Sequence, residues 1–84
     1  MAKSTTQNKV VIICYNQAEE WESRKQAKAF YMDCMFNSEG SEQERYVNIY
    51  RQLEEGQDLC IDDECLTPKF IKEVLAKGIK KRTL

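Results

Sequence analysis

The feature that most constrains the fold is a segment rich in Val and Ile near the start of this 84-residue chain, at positions 9–15. Four consecutive Val and Ile residues, bounded by Asn8 and Asn16, favour a strand that is buried on both faces. A lone strand would bury unpaired amide and carbonyl groups, so it requires a partner. The only other strand predicted is the short segment 59–61. We therefore expect one N-terminal strand that pairs either with residues 59–61 or with a second copy across a homodimer.

Two helices are predicted between these strands. Asn16, with Glu19 three positions on, has the pattern of a capping box, and the helix that it starts would continue to about Phe36. A second capping box begins at Ser41 and predicts another helix, which Gly56 ends. Apolar residues recur at helical spacing in both, namely Ala27, Phe30, Tyr31, Cys34 and Met35 in the first and Tyr46, Ile49, Tyr50 and Leu53 in the second. The short connection favours an antiparallel pair.

A third helix is predicted at the C-terminus. Thr67 and Pro68 have the residue types of an N-cap and a first helical position, and a basic amphipathic stretch follows them. The expected fold class is α+β, with one N-terminal strand, two antiparallel helices and a C-terminal basic amphipathic helix. The predicted organisation is a disordered N-terminus over 1–8, a small α+β core domain over 9–66 and the basic helix over 67–84.

The chain contains no histidine, and this excludes several classes of site. Without imidazole there is no Ser–His or Cys–His nucleophile pair and no usual zinc or haem ligand set. The cysteines at positions 14, 34, 60 and 65 include no C-x-x-C pair, so we interpret them as reduced, structural thiols. No apolar run is long enough to cross a bilayer, and no signal peptide is recognisable. We therefore expect a cytoplasmic protein that is not an enzyme and that needs no metal or cofactor.

Charge is distributed unevenly along the chain. Residues 69–84 carry a net charge of +5, whereas residues 1–68 carry −6. The acidic residues Asp58, Asp62, Asp63 and Glu64 lack the glycine and the ligand spacing of an EF-hand. We interpret them as an acidic turn that faces the basic C-terminal helix. The alternative role for that helix is contact with nucleic acid or a membrane surface, although its single arginine disfavours sequence-specific reading of DNA.

The candidate binding site combines cationic and aromatic side chains of the first two helices. It comprises Trp21, Arg24, Lys28, Arg45, Tyr46, Asn48, Tyr50 and Arg51. Such a mixture suits a nucleotide or a protein hot spot, through stacking, bidentate hydrogen bonds and cation–π contacts. The alternative interpretation is structural, with the tyrosines in the core and the arginines paired with glutamates such as Glu20, Glu22, Glu44 or Glu54. If the site is functional, replacing Arg24 or Arg45 by Ala should cost little stability and abolish partner binding.

Two stretches of this chain resemble a family of small proteins carried by prophages and conjugative elements of Gram-positive anaerobes. Residues 21–27 match the pattern W-x-S-R-x-x-A, and residues 38–49 match S-E-G-S/A-E-x-x-R-Y-x-N-I. The resemblance covers roughly residues 9–62 and carries no catalytic residue. It implies a mobile-element context, in which small proteins often inhibit host defence.

These observations favour a non-enzymatic binding protein, most concretely a phage or mobile-element anti-defence inhibitor that acts as a homodimer. Its partner would be a host defence protein, or a nucleotide second messenger whose phosphates the arginines bind while Tyr46 or Trp21 stacks on the base. The alternative is a nucleic-acid accessory protein that uses the Lys-rich C-terminal helix. A third class, a structural subunit of a larger assembly, would expose an apolar patch.

Overall fold

A four-stranded sheet with helices on both faces forms the described part of the chain, residues 9–82 of a computed structural model. Its elements are β1 (Val10–Cys14), β2 (Gln17–Trp21), α1 (Arg24–Phe36), α2 (Gly40–Glu54), β3 (Leu59–Ile61), α3 (Pro68–Ala76) and β4 (Ile79–Arg82). The strand order is β3-β1-β2-β4, which confirms the α+β class. The predicted disorder over 1–8 lies outside the described residues. No helix in the described range is long and apolar enough to span a membrane.

The prediction of one N-terminal strand is wrong, because β1 and β2 form an antiparallel hairpin. Val10 pairs with Trp21 and Cys14 pairs with Gln17. Tyr15 and Asn16 both have positive φ, 53° and 64°, which is the conformation that a two-residue hairpin loop requires. Asn16 therefore turns the chain rather than capping a helix.

The helix predicted from Asn16 begins seven residues later in the chain than expected, at Arg24 of α1. Its N-cap is Ser23, whose hydroxyl accepts a hydrogen bond from the amide of Gln26 at 3.2 Å. Ser41 is not a cap either. The N-cap of α2 is Glu39, which makes no side-chain capping bond.

Strand pairing across a dimer through β1 is also contradicted. β1 is an interior strand, with β2 on one side and β3 on the other, so both of its edges are occupied within the chain. The intrachain alternative is confirmed, since β3 pairs with β1 in parallel and Ile12 lies opposite Cys60.

The predicted C-terminal basic helix is only partly formed. Its start is confirmed, since the Thr67 hydroxyl accepts a hydrogen bond from the amide of Phe70 at 3.2 Å. The helix ends at Ala76, and Gly78 then adopts a φ of +127° that other residues rarely adopt. The lysines that follow belong to β4, which pairs in parallel with β2 and places Ile79 opposite Ala18.

The apolar residues of β1 alternate between two cores. Val10 and Ile12 face α1 and α2 and pack with Trp21 and Leu53, all of them at most 1% exposed. Ile13 faces α3 and packs with Ala18 and Val74. The run of Val and Ile therefore does serve both faces of the sheet, as the sequence predicts. The helix pair is antiparallel, because Lys28 near the start of α1 contacts Glu54 at the end of α2.

Candidate functional site

The three arginines of the predicted site lie on α1 and α2 and pair with carboxylates at or beside β3. Arg24 illustrates the arrangement. Its guanidinium lies 3.2 Å from the Asp58 carboxylate and donates to the carbonyl of Gln57 at 2.7 Å and to that of Leu53 at 3.4 Å. Its side chain is only 19% exposed. Arg24 therefore joins the first turn of α1 to the segment that leads from α2 into β3.

Arg45 pairs with Asp62, the one buried acidic residue in the described range. Arg45 Nη1 lies 2.7 Å from Asp62 Oδ2, and the amide of Tyr15 donates to the same oxygen at 3.0 Å. The guanidinium carbon also lies 4.8 Å from the centroid of the Tyr15 ring. The hydrogen bond to Asp62 raises the pKa of Arg45. The carboxylate thus holds α2 against the hairpin turn.

The other polar residues of the predicted site also bond within the chain. Asn48 donates to the Asp62 carbonyl at 3.1 Å, so it shares this residue with Arg45. Lys28 and Tyr50 meet at Glu54, each 3.3 Å from Oε2. Arg51 pairs with Glu64.

The acidic segment therefore faces the arginines of α1 and α2 instead of the basic C-terminal helix. This corrects the partner predicted for it. It also shows that the arginines pair with the segment around β3, and not with the glutamates that the alternative interpretation named.

The two aromatic residues proposed to stack on a base occupy different environments. Trp21 is 0% exposed, and its ring packs against Phe30 at a centroid distance of 5.2 Å. Burial leaves Trp21 no free ring face for a ligand. Tyr46 is half-buried against Tyr31, with ring centroids 6.0 Å apart, and its hydroxyl donates to Glu42 at 3.2 Å.

Arg82 is a structural residue that the sequence analysis missed. It lies 3.0 Å from the Glu19 carboxylate, and its guanidinium carbon is 4.9 Å from the Trp21 ring centroid and 5.0 Å from that of Phe30. The sequence Ile79-Lys80-Lys81-Arg82 carries no apolar alternation that would have predicted a strand or this role for Arg82. The segment was predicted to belong to the basic helix over 67–84.

A small open cavity of about 220 Å³ lies between the hairpin and the α1–α2 pair. It is lined in part by Cys14, Glu19, Cys34 and Tyr46. Burial is the main cause that raises the pKa of Cys14 to about 12, so its thiol stays protonated near neutral pH and is a poor nucleophile. No group of three or more potential metal ligands converges within residues 9–82.

The side of α1 and α2 that faces away from the sheet carries exposed apolar side chains. Met32 is 37% exposed, Phe36 78% and Val47 43%. Phe36 lies nine positions from buried Ala27 and Val47 lies two from buried Ile49, spacings that place them on the opposite side of each helix. We refer to Met32, Phe36 and Val47 as the outer helical face.

Two interhelical contacts lie on either side of Met32 and Val47. Lys28 pairs with Glu54 at one end, and Gln43 Nε2 donates to the carbonyl of Met35 at 2.9 Å at the other. Because the helices are antiparallel, Met32 and Val47 both lie between these contacts. Met32 and Val47 therefore lie on neighbouring stretches of the two helices, and Phe36, one turn beyond Met32, extends the face to the end of α1.

The two edge strands of the sheet, β3 and β4, differ in whether their outward backbone groups have hydrogen-bond partners. At β3, the side chain of Gln52 bonds to Ile61 twice, donating to its carbonyl and accepting from its amide, each at 2.9 Å. Gln52 is only 6% exposed, so α2 closes this edge. At the other edge, β4 ends the strand order, and within residues 9–82 no segment pairs with its outer side.

Comparison of the chain with protein-family models, curated proteins and solved structures found no match.

Proposed function

We propose that this chain is a non-enzymatic binding protein that recognises another protein through the outer helical face. The observation that carries the proposal is the grouping of Met32, Phe36 and Val47 on one exposed surface. Clustered apolar side chains on a folded surface are typical of protein-binding sites, and Met adapts readily to a partner's shape. Lys28, Tyr50 and Glu54 at one end of the face supply polar groups for its rim.

The same contacts make a nucleotide the less favoured ligand. A phosphate site needs guanidinium groups that are free to donate, whereas Arg24, Arg45 and Arg51 already donate to carboxylates. Trp21 is buried and has no ring face to offer to a base. These features support a protein partner over a nucleotide second messenger.

The resemblance to proteins of prophages and conjugative elements supports a more specific version of the proposal. In that context the partner would be a host defence protein, and the chain would be an anti-defence inhibitor that acts by occupying the partner's surface. The inhibitor needs no chemistry of its own, since blocking a surface requires only complementarity and affinity.

The test compares two variants of the full chain. The double variant Phe36→Asp/Val47→Asp places charges on the outer helical face at exposed positions, so the fold should persist. Tyr15→Asn is the matched control, because Tyr15 is 50% exposed but lies at the hairpin turn. Each protein is used to capture partners from a lysate of a Gram-positive anaerobe, after circular dichroism has confirmed that it is folded.

We expect the wild type and Tyr15→Asn to retain the same partner in fixed proportion and the double variant to lose it. Native mass spectrometry of the purified protein provides the second readout and also tests the predicted homodimer. A nucleotide-sized mass retained by the wild type, or capture that the double variant preserves, would contradict the proposal. Aggregation of the isolated wild type would instead indicate a structural subunit of a larger assembly.

Nucleic-acid binding is the second candidate function, and the exposed lysines of α3 and β4 favour it. Lys69, Lys72, Lys77 and Lys80 are all exposed. Binding to a phosphate backbone should weaken steeply as salt rises, and the slope should fall when Lys77, Lys80 and Lys81 are replaced by Gln. Titration of a fluorescent DNA duplex at several salt concentrations measures this slope, and binding that is insensitive to salt would contradict this candidate.

A further inference from the structure

The outer edge of β4 has the features of a docking site for an extended polypeptide. An edge strand presents alternate amide and carbonyl groups that an incoming strand can pair with. β4 is the last strand in the order β3-β1-β2-β4, and among the described residues its outer side has no partner. We propose that β4 accepts an acidic, extended segment of another protein as a fifth strand.

The two edges of the sheet differ in how accessible their backbone groups are to an incoming strand. At β3, buried Gln52 occupies both the amide and the carbonyl of Ile61. A second strand cannot pair there without displacing that side chain. In the described range no side chain occupies the outer backbone groups of β4 in this way, so an additional strand can pair with this sheet only at β4.

The β4 edge carries positive charge that favours an acidic partner. Lys77 and Lys80 flank the start of the strand and are exposed, and within residues 9–82 no carboxylate lies within 4.0 Å of either ammonium group. Lys81 reaches only Glu20, at 3.8 Å. Lysines on an edge discourage pairing between identical copies, because like charges would lie side by side. The same lysines favour an incoming strand that carries carboxylates.

A groove at the start of β4, between the beginning of β2 and the end of α3, provides space for a side chain of the incoming strand that reaches over Ile79. Its volume is about 560 Å³, and its lining includes Ala18, Val74, Gly78 and Ile79. Ile79 is 42% exposed. An apolar side chain of the incoming segment would cover Ile79 while its acidic neighbours meet Lys77 and Lys80. The segment that fits is therefore one in which apolar and acidic residues alternate.

The experiment uses the full chain, labelled with ¹⁵N, and a synthetic peptide of alternating Val and Glu. We expect the peptide to bind and to slow hydrogen exchange at alternate amides of β4, since every second amide of an edge strand points outward. A peptide of alternating Val and Lys is the charge control and should not bind.

Two variants test the lysines. Lys77→Gln/Lys80→Gln should weaken binding of the acidic peptide by about tenfold, whereas Lys69→Gln/Lys72→Gln, which removes the same charge from α3, should change it by less than about twofold. The variant Phe36→Asp/Val47→Asp should leave peptide binding unchanged. Failure of this inference is therefore separable from failure of the proposed function.

Several results would overturn the proposal. One is the absence of binding up to about 1 mM peptide, the weak end of specific association. Others are slow exchange of every β4 amide in the free protein, which would mean that the edge is already covered, and self-association through β4. A DNA duplex that binds through Lys77 and Lys80 without protecting β4 amides would assign these lysines to nucleic acid instead.

Discussion

Asp62 connects three parts of the molecule that are far apart in the sequence. Its carboxylate accepts from the Tyr15 amide and the Arg45 guanidinium, and its carbonyl accepts from Asn48. The Asp62 side chain is 2% exposed, so these donors are needed to offset the cost of removing its charge from water. Arg45 and Asn48, two residues of the predicted binding site, therefore act here in stabilising the fold.

Replacing Arg45 by Ala should lower the free energy of unfolding by about 2 kcal/mol, because a buried carboxylate loses a charged donor. This reverses the expectation from the sequence that the substitution costs little. Arg51→Ala is the matched control on the same helix. Its pair with Glu64 is exposed on both sides, so the expected loss is below about 1 kcal/mol. Urea unfolding of both variants measures the difference, and equal losses would contradict this account of Asp62.

The hairpin turn shows how two residues decide the identity of a whole element. Tyr15 and Asn16 at positive φ send β2 back along β1, and Trp21 consequently enters the core. Asn adopts this conformation more readily than most residues, and Gly adopts it without strain.

We expect Asn16→Gly to leave stability unchanged or to raise it slightly. Asn16→Val should lower it by about 1–3 kcal/mol, because a β-branched residue is strained at positive φ. Thermal unfolding followed by circular dichroism compares the two variants with the wild type. A Val variant as stable as the Gly variant would be inconsistent with this turn conformation.

The closed edge of β3 gives a second prediction at the scale of elements. Gln52→Leu removes both bonds to Ile61 and leaves a backbone amide and carbonyl without these partners. We expect a loss of about 2 kcal/mol together with concentration-dependent self-association in sedimentation experiments. Gln26→Leu, at an exposed position of α1 whose side chain forms no hydrogen bond in the described range, is the control and should remain monodisperse like the wild type. A Gln52→Leu variant that neither loses stability nor associates would show that the edge is protected by other means.

At the scale of the whole molecule, the core between the sheet and the α1–α2 pair determines how stability responds to alkaline pH. Burial raises the pKa of Cys14 from its ordinary 9.0 to about 12 and that of Cys60 to about 11. Burial and the nearby Glu19 carboxylate also raise the pKa of Tyr31. Above pH 9 the unfolded chain therefore releases protons that the folded chain retains, and stability falls as pH rises.

These groups should leave stability unchanged between neutral pH and about pH 9, and stability should then decline as pH rises toward 11 and 12, the raised pKa values of Cys60 and Cys14. Urea midpoints measured across this range under reducing conditions test the decline. In the variant Cys14→Ala/Cys60→Ala the decline should be shallower, whereas Cys65→Ala, at an exposed position, should keep the wild-type profile. A constant midpoint up to pH 11 would contradict the burial of these thiols.

Several predictions that depended on local residue patterns are confirmed, although the capping boxes predicted at Asn16 and Ser41 are wrong. β1 forms where Val and Ile are consecutive, α3 starts at Thr67 and Pro68, and β3 occupies residues 59–61. The antiparallel helix pair follows from apolar residues at helical spacing and a short connection. In each case the signal lies within a few residues, and the tertiary structure agrees with it.

The predicted binding site was harder to place, because its residue types suit two roles equally. An arginine beside an aromatic residue describes a ligand site and an internal ion pair alike. Only their carboxylate partners show that Arg24 and Arg45 form internal ion pairs. These partners, Asp58 and Asp62, lie 34 and 17 positions away in the sequence. The outer helical face was not predicted, because Met32, Phe36 and Val47 fall outside the apolar stripes that the helical spacing predicts.

By itself, the sequence determined that a buried strand, two amphipathic helices and a capped third helix would be present, because hydrophobic periodicity and capping act over a few residues. Only the tertiary structure decided that residues 17–21 and 79–82 are strands. Gln-Ala-Glu-Glu-Trp and Ile-Lys-Lys-Arg have no strong local preference, and each becomes a strand because a neighbour supplies its hydrogen-bond partners. The arrangement of the strands also determined which arginines pair with carboxylates around β3. It left the outer side of β4 without a strand partner among residues 9–82.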